Sequence, residues 1–105
     1  MVAAIFEMES MWGPEKHFFE GESASDLLAQ FERVQDLGCL ARMGRMQGPK
    51  KDQKELDKLD ALLEKYYADE LTMEDLKKFS IKLSLGKLSV TAIAETDEEI
   101  EKIRE

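Results

Sequence analysis

The 105-residue sequence predicts an α+β fold in which two β-hairpins flank a two-helix segment, forming a mostly antiparallel sheet with helices packed on one face and a short C-terminal helix. Three patterns carry this expectation. Apolar residues alternate with polar ones near both ends of the chain, as in half-buried strands. Between them, apolar residues recur at spacings of three and four, as in amphipathic helices. Hairpins force antiparallel neighbours, and helices with one apolar stripe pack economically on one sheet face.

The elements follow in order. Ala4, Phe6 and Met8 face one way and Glu7 and Glu9 the other, so Val2 to Ser10 reads as a strand. Gly13 and Pro14 mark a turn, and the aromatic stretch Lys16 to Glu20 pairs back as a second strand ended by Gly21. Ser23 then caps a helix, with Asp26 favouring its positive end. Leu27, Leu28, Phe31, Val34 and Leu37 form its stripe, and Gly38 either stops it or is absorbed into a longer helix reaching Met43.

Two glycines and a proline between Gly44 and Pro49 read as a loop. A second long helix over residues 50–68 is expected from Leu56, Leu59, Leu63 and Tyr66. Thr72 with Asp75 caps a single helical turn through Leu76. Phe79, Ile81, Leu83 and Leu85 then alternate, as do Leu88, Val90, Ala92 and Ala94, around Gly86-Lys87. A type II′ turn there would set Leu85 opposite Leu88, Leu83 opposite Val90 and Ile81 opposite Ala92. Thr96 to Glu99 is a capping box, and Ile100 and Ile103 give the closing helix its contact.

A chain of this length sits near the size of one domain, so residues 1–105 are expected to share one core. Charged residues make up 36% of the chain, above the average of about 25%, and the net charge is −8. That charge is sorted: residues 1–41 contribute −6, residues 42–58 contribute +3, and residues 59–105 contribute −5. Separate surfaces of opposite sign steer encounters and select partners. The single cysteine, Cys39, excludes an intramolecular disulfide scaffold, and the apolar run at Val2 to Phe6 is too short for a membrane span. A cytoplasmic, unprocessed protein without membrane attachment is the expectation.

Catalytic constellations fail one by one. Nucleophilic catalysis needs a Ser, Cys or Thr with a base, and the only imidazole is His17, in an aromatic strand, while Cys39 lies in an apolar stretch. Both read as structural. One Cys and one His fall short of the usual zinc ligand set, so no metal and no cofactor are expected. Gly44 to Lys51 departs from a phosphate-binding loop in spacing, in Pro49 and in lacking a following Ser or Thr. Asp60 and Glu64 share a helix face, yet Lys54, Lys58 and Lys65 are threaded among the acids, as on a solvated helix laced with weak ion pairs. The expectation is no enzyme.

What remains is binding. The leading expectation is a small acidic interaction protein that binds another protein, one basic or itself nucleic-acid-binding, and modulates or inhibits it through an acidic face formed by Asp69, Glu70, Glu74, Asp75, Asp97, Glu98 and Glu101. In a helical tail Asp97, Glu101 and Glu105 would form a row of negative charge resembling a phosphate backbone. In composition alone the chain resembles short acidic bacteriophage accessory proteins, some of them DNA mimics. The alternative is a nucleic-acid module using the basic island Arg42, Arg45, Lys50, Lys51 and Lys54, which lacks aromatic stacking platforms of its own. Met11 and Trp12, beside Met8, are either core filling or an apolar contact for a partner. An unpaired hairpin edge offers a further partner, a second copy in a homodimer.

Overall fold

Side-chain caps at helix starts fix much of the architecture. A computed structural model describes residues 1–104. It contains β1 (Val2–Ser10), β2 (Gly13–Gly21), α1 (Ala24–Val34), α2 (Leu37–Gln47), α3 (Gln53–Tyr67), α4 (Met73–Lys77), β3 (Ser80–Leu83), β4 (Gly86–Ala94) and α5 (Asp97–Arg104), with a 3-10 turn over Lys50–Asp52 leading into α3. As the sequence predicts, the fold is α+β with one antiparallel four-stranded sheet, ordered β2-β1-β4-β3. The hairpins join through the central pair β1 and β4.

Ser23 accepts from the Asp26 amide, Thr72 and Asp75 form a reciprocal capping box, and Thr96 accepts from the Glu99 amide. Each supplies a partner to an amide that the helix itself leaves unpaired. The break between the first two helices falls earlier than Gly38. Asp36 caps α2 by accepting from the Cys39 amide at 3.0 Å, and Gly38 lies within that helix. The predicted loop beginning at Gly44 is likewise helical through Gln47, and only Gly48 and Pro49 interrupt the chain. Gly44 is there because α2 crosses α3: a Cβ would sit 2.9 Å from both Leu56 methyl carbons.

Two layers cover the sheet. Ala4, Phe6, Ile81 and Leu88 pack under α1 to α4, through Leu27, Leu28, Phe31, Leu37, Leu56, Leu59 and Leu76, all buried. Phe6 stacks on Phe31 with ring centroids 4.5 Å apart at the centre of this core. The closing helix α5 takes the opposite face, where Ile100 packs on Ala3 and Ala94 beside Phe18.

That second layer explains a departure in β4. Its pairing with β1 slips at Thr91, between Ile5 opposite Ala92 and Phe6 opposite Val90. A β-bulge of this kind moves subsequent residues to the other face. Leu88 and Val90 therefore meet the large core while Ala94 turns to α5, so the predicted single face from Leu88 to Ala94 is divided. Small alanines there let α5 approach.

Both hairpin turns also differ from expectation. The first is made by Met11 and Trp12, with Ser10 opposite Gly13, and Pro14 already lies in β2. The second is Ser84-Leu85, which pairs Leu83 with Gly86 and Ile81 with Leu88. Gly86 is not the turn residue. Its backbone runs so close to β1 that a Cβ would sit 2.1 Å from the Glu9 carbonyl oxygen.

Candidate docking end of the sheet

The close approach of Gly86 to Glu9 places the two hairpin turns side by side, at one end of the sheet. Each turn has two residues. At the first, Gly13 adopts φ +103°, a region open to glycine, and the Trp12 amide donates to Ser10 Oγ at 3.2 Å. The turn thereby presents Met11 and Trp12 outward, 83% and 89% exposed. At the second, Leu85 is 84% exposed. The expectation that Leu85 lies opposite Leu88 inside the hairpin is thus corrected, because the turn falls two residues earlier.

A buried carboxylate fixes that turn. Asp52, only 8% exposed, ends the 3-10 segment, accepts the Ser84 amide at 3.1 and 3.2 Å on its two oxygens, and accepts the Ser84 hydroxyl at 3.0 Å. Ionised acceptors make hydrogen bonds roughly twice as strong as neutral ones. Sequence reading missed Asp52, because a lone acid among lysines resembles surface charge. Its one local signal is its place directly before a helical stripe.

Between these turns and α2 lies a groove of about 500 Å³. Leu40 and Met43 of α2 form one wall, Met8, Leu83 and Leu88 lie along the strands, and Glu15, opposite Met8, adds negative charge beside the β1–β2 turn. Met46, one helical turn beyond Met43, is exposed as well. Apolar side chains, two of them methionines, thus line a concavity flanked by three outward apolar residues.

The acidic residues singled out in the sequence fall into two neighbouring groups. Asp69, Glu70 and Glu74 are exposed around the α3–α4 junction, and Asp97, Glu98 and Glu101 are exposed on α5. Lys77 lies between them: its hydrogen bond to Glu74, the charge of Glu74 and the charges of Glu95 and Glu99 raise its pKa. Asp75 is held inside, capping α4 and bonded to Lys65 at 2.8 Å. The hydrogen bond to Lys65, with those to Thr72, lowers its pKa despite partial burial. Glu101 binds Arg104, which also binds Glu20 at 2.6 Å. Glu105, the last member of the proposed acidic row, lies outside the described residues.

The basic island is also divided. Arg42 and Arg45 both project from α2, Arg45 not from the expected loop, and Lys50, Lys51 and Lys54 are exposed around the start of α3. The Arg45 guanidinium crosses to α3 and bonds Gln53, Asp57 and Asp60, which leaves the other cations as the accessible part of the island. The hydrogen bonds to Asp57 and then Asp60 raise its pKa. Asp57 and Asp60 thus serve a contact between helices. The expected pairing with lysines of their own helix is replaced.

His17 and Cys39 stand on separate elements. His17 Nε2 and Glu15 Oε1 are 2.8 Å apart and the ring stacks on Phe19, whereas Cys39 lies on the exposed side of α2, not in the apolar core its neighbours suggest. Among the described residues no group of three or more His, Cys, Asp or Glu is arranged to hold a metal ion, and no helix is long and apolar enough to cross a membrane. Comparison of the chain with protein-family models, curated proteins and solved structures gives no match.

Proposed function

We propose that the protein is a binding module, not an enzyme, and that it docks an apolar segment of another protein at the turn end of its sheet and thereby modulates that partner. One observation carries the reading: Met11, Trp12 and Leu85, on adjacent turns, are each more than four-fifths exposed beside a concave apolar groove. Such an exposed cluster is a binding feature in soluble proteins, Trp is frequent among hot spots, and methionine adapts to varied surfaces.

Charge gives the partner a sign. Glu15 lies at the groove and the chain is strongly acidic, so a segment carrying Lys or Arg beside its apolar residues is favoured and is steered in by the long-range field. The exposed acids at the α3–α4 junction and on α5 contribute to that field. The exposed thiol of Cys39 suits a reducing compartment.

A peptide array tests the reading. Apolar peptides bearing Lys or Arg are expected to bind, and Trp12→Ala or Leu85→Ser to lower affinity at least about tenfold, or about 1.4 kcal/mol. Glu15→Lys is expected to slow association with basic peptides. Binding that is unchanged in a Trp12→Ala, Leu85→Ser double variant would overturn the proposal.

A further inference from the structure

The two edges of the sheet are treated differently. At the β3 edge, the outward amides of Lys82 in the strand and Ser84 in the turn are occupied by carboxylates from the α3 side, Glu55 Oε1 at 2.9 Å and Asp52. Those two donors are closed to another strand. Among the described residues, no side chain bonds the backbone along the middle of the β2 edge.

Which β2 groups point outward follows from the hairpin. In a two-residue hairpin the closing residues exchange both hydrogen bonds, and bonded pairs alternate from there. With Ser10 opposite Gly13, residues Gly13, Glu15, His17 and Phe19 bond to β1, while Pro14, Lys16, Phe18 and Glu20 point their backbone groups away. The Glu20 carbonyl confirms the parity: it is reached from outside by Gln30 Nε2 at 2.8 Å. Pro14 has no amide to offer. The outward edge therefore presents the carbonyl of Pro14, the amides and carbonyls of Lys16 and Phe18, and the amide of Glu20.

We infer that this edge pairs with the same edge of a second copy, antiparallel and centred on His17, doubling the sheet. In that register Lys16 exchanges both bonds with Phe18 of the other copy, and the Glu20 amide donates to the Pro14 carbonyl. The amide that Pro14 lacks falls opposite the Glu20 carbonyl, which Gln30 already satisfies. Every remaining outward donor and acceptor from Pro14 to Glu20 thus finds a partner.

Other registers leave groups unmatched. Centring on Phe18 would bring the Pro14 carbonyl to the Glu22 amide, which already donates to Asp26 at 2.8 Å, and would load the Glu20 carbonyl twice. Centring on Lys16 would set two lysines face to face and leave the Phe18 carbonyl opposite a proline. Pairing about His17 also sets the Lys16 stem opposite Phe18 of the other copy.

Sedimentation equilibrium and cysteine cross-linking test the inference. The chain is expected to show twice its protomer mass, and the dimer to strengthen with salt because each copy carries net negative charge. Lys16→Pro removes an outward amide that the hairpin does not use, so it is expected to give a folded monomer. In a Cys39→Ser background, His17→Cys is expected to form a disulfide across the two-fold, since directly opposed residues of a non-bonded pair have Cα atoms about 4.5 Å apart. A chain that stays monomeric, a dimer that survives Lys16→Pro, or cross-linking through Phe18→Cys but not His17→Cys would each overturn it. Loss of peptide docking with dimerisation intact would refute the docking proposal alone.

Discussion

Replacing Asp52 with alanine tests the physical basis of the docking end most sharply, because one buried carboxylate there holds a whole turn. Its oxygens share the Ser84 amide at 3.1 and 3.2 Å and take the hydroxyl at 3.0 Å. Counting the shared amide once, the carboxylate receives two distinct donors, each worth roughly 1.5–3 kcal/mol to a charged acceptor. Part of that gain is offset by taking the carboxylate out of water, so Asp52→Ala is expected to cost about 2–4 kcal/mol. For a domain of this size 1 kcal/mol shifts the melting temperature by roughly 4–5 °C, which makes the expected drop about 8–20 °C. Ser84→Ala, which keeps the amide contact, should cost about half as much. Thermal unfolding by circular dichroism measures both, and hydrogen exchange reports whether the Ser84 amide is protected. A loss below about 0.5 kcal/mol for Asp52→Ala, or a Ser84 amide exchanging like an open loop in the unaltered protein, would refute the reasoning.

Three further outcomes are expected. Gly86→Ala forces β4 away from the Glu9 carbonyl and should cost roughly 1–3 kcal/mol, visible in urea unfolding, as overpacking does. By contrast, Trp12→Ala and Leu85→Ser should change stability by no more than about 0.5 kcal/mol, since neither side chain is buried. Acid should weaken the fold through Glu55 and Asp75: hydrogen bonds from Lys58 and the Lys82 amide lower the first below its ordinary 4.5, and those from Lys65 and Thr72 lower the second below 3.8. A depressed carboxylate stabilises the fold fully above its ordinary value and ceases to do so as pH falls through the folded value. The stability difference between the unaltered protein and a Glu55→Gln, Asp75→Asn variant should therefore be steady near neutrality and shrink below about pH 4.5, measured by urea unfolding across pH.

Local signals were legible where one residue settles the matter. Ser23, Thr72 and Thr96 mark helix starts because each offers an oxygen to an unpaired amide, and the period-two runs announce both hairpins. Glycine was misleading where it serves a close approach. Gly86 adjoins the Glu9 carbonyl and Gly44 adjoins Leu56, contacts that no local pattern contains, and reading both as chain breaks displaced one turn and shortened α2. The bulge at Thr91 has the same origin, since it answers to α5 on the far face of the sheet. At the docking end, Met11 and Trp12 stood out by residue type, whereas Leu85 passed as a strand interior until the turn's position was fixed by Asp52. Arg45 looked like free surface charge because its partners lie on another helix, and the bond of Asp75 to Lys65, unlike its cap with Thr72, is visible only after folding.

The docking proposal rests on where a partner touches. Methionine methyl NMR reads this directly, because five of the six methionines sample the groove and its surroundings at Met8, Met11, Met43 and Met46 and a remote site at Met73. On titration with the tightest-binding basic apolar peptide from the array, the account predicts shifts of the Met8, Met11 and Met43 methyls and of the single Trp12 indole, with Met73 unmoved. Shifts centred on Met73, with Met11, Met43 and Trp12 unchanged, would contradict it.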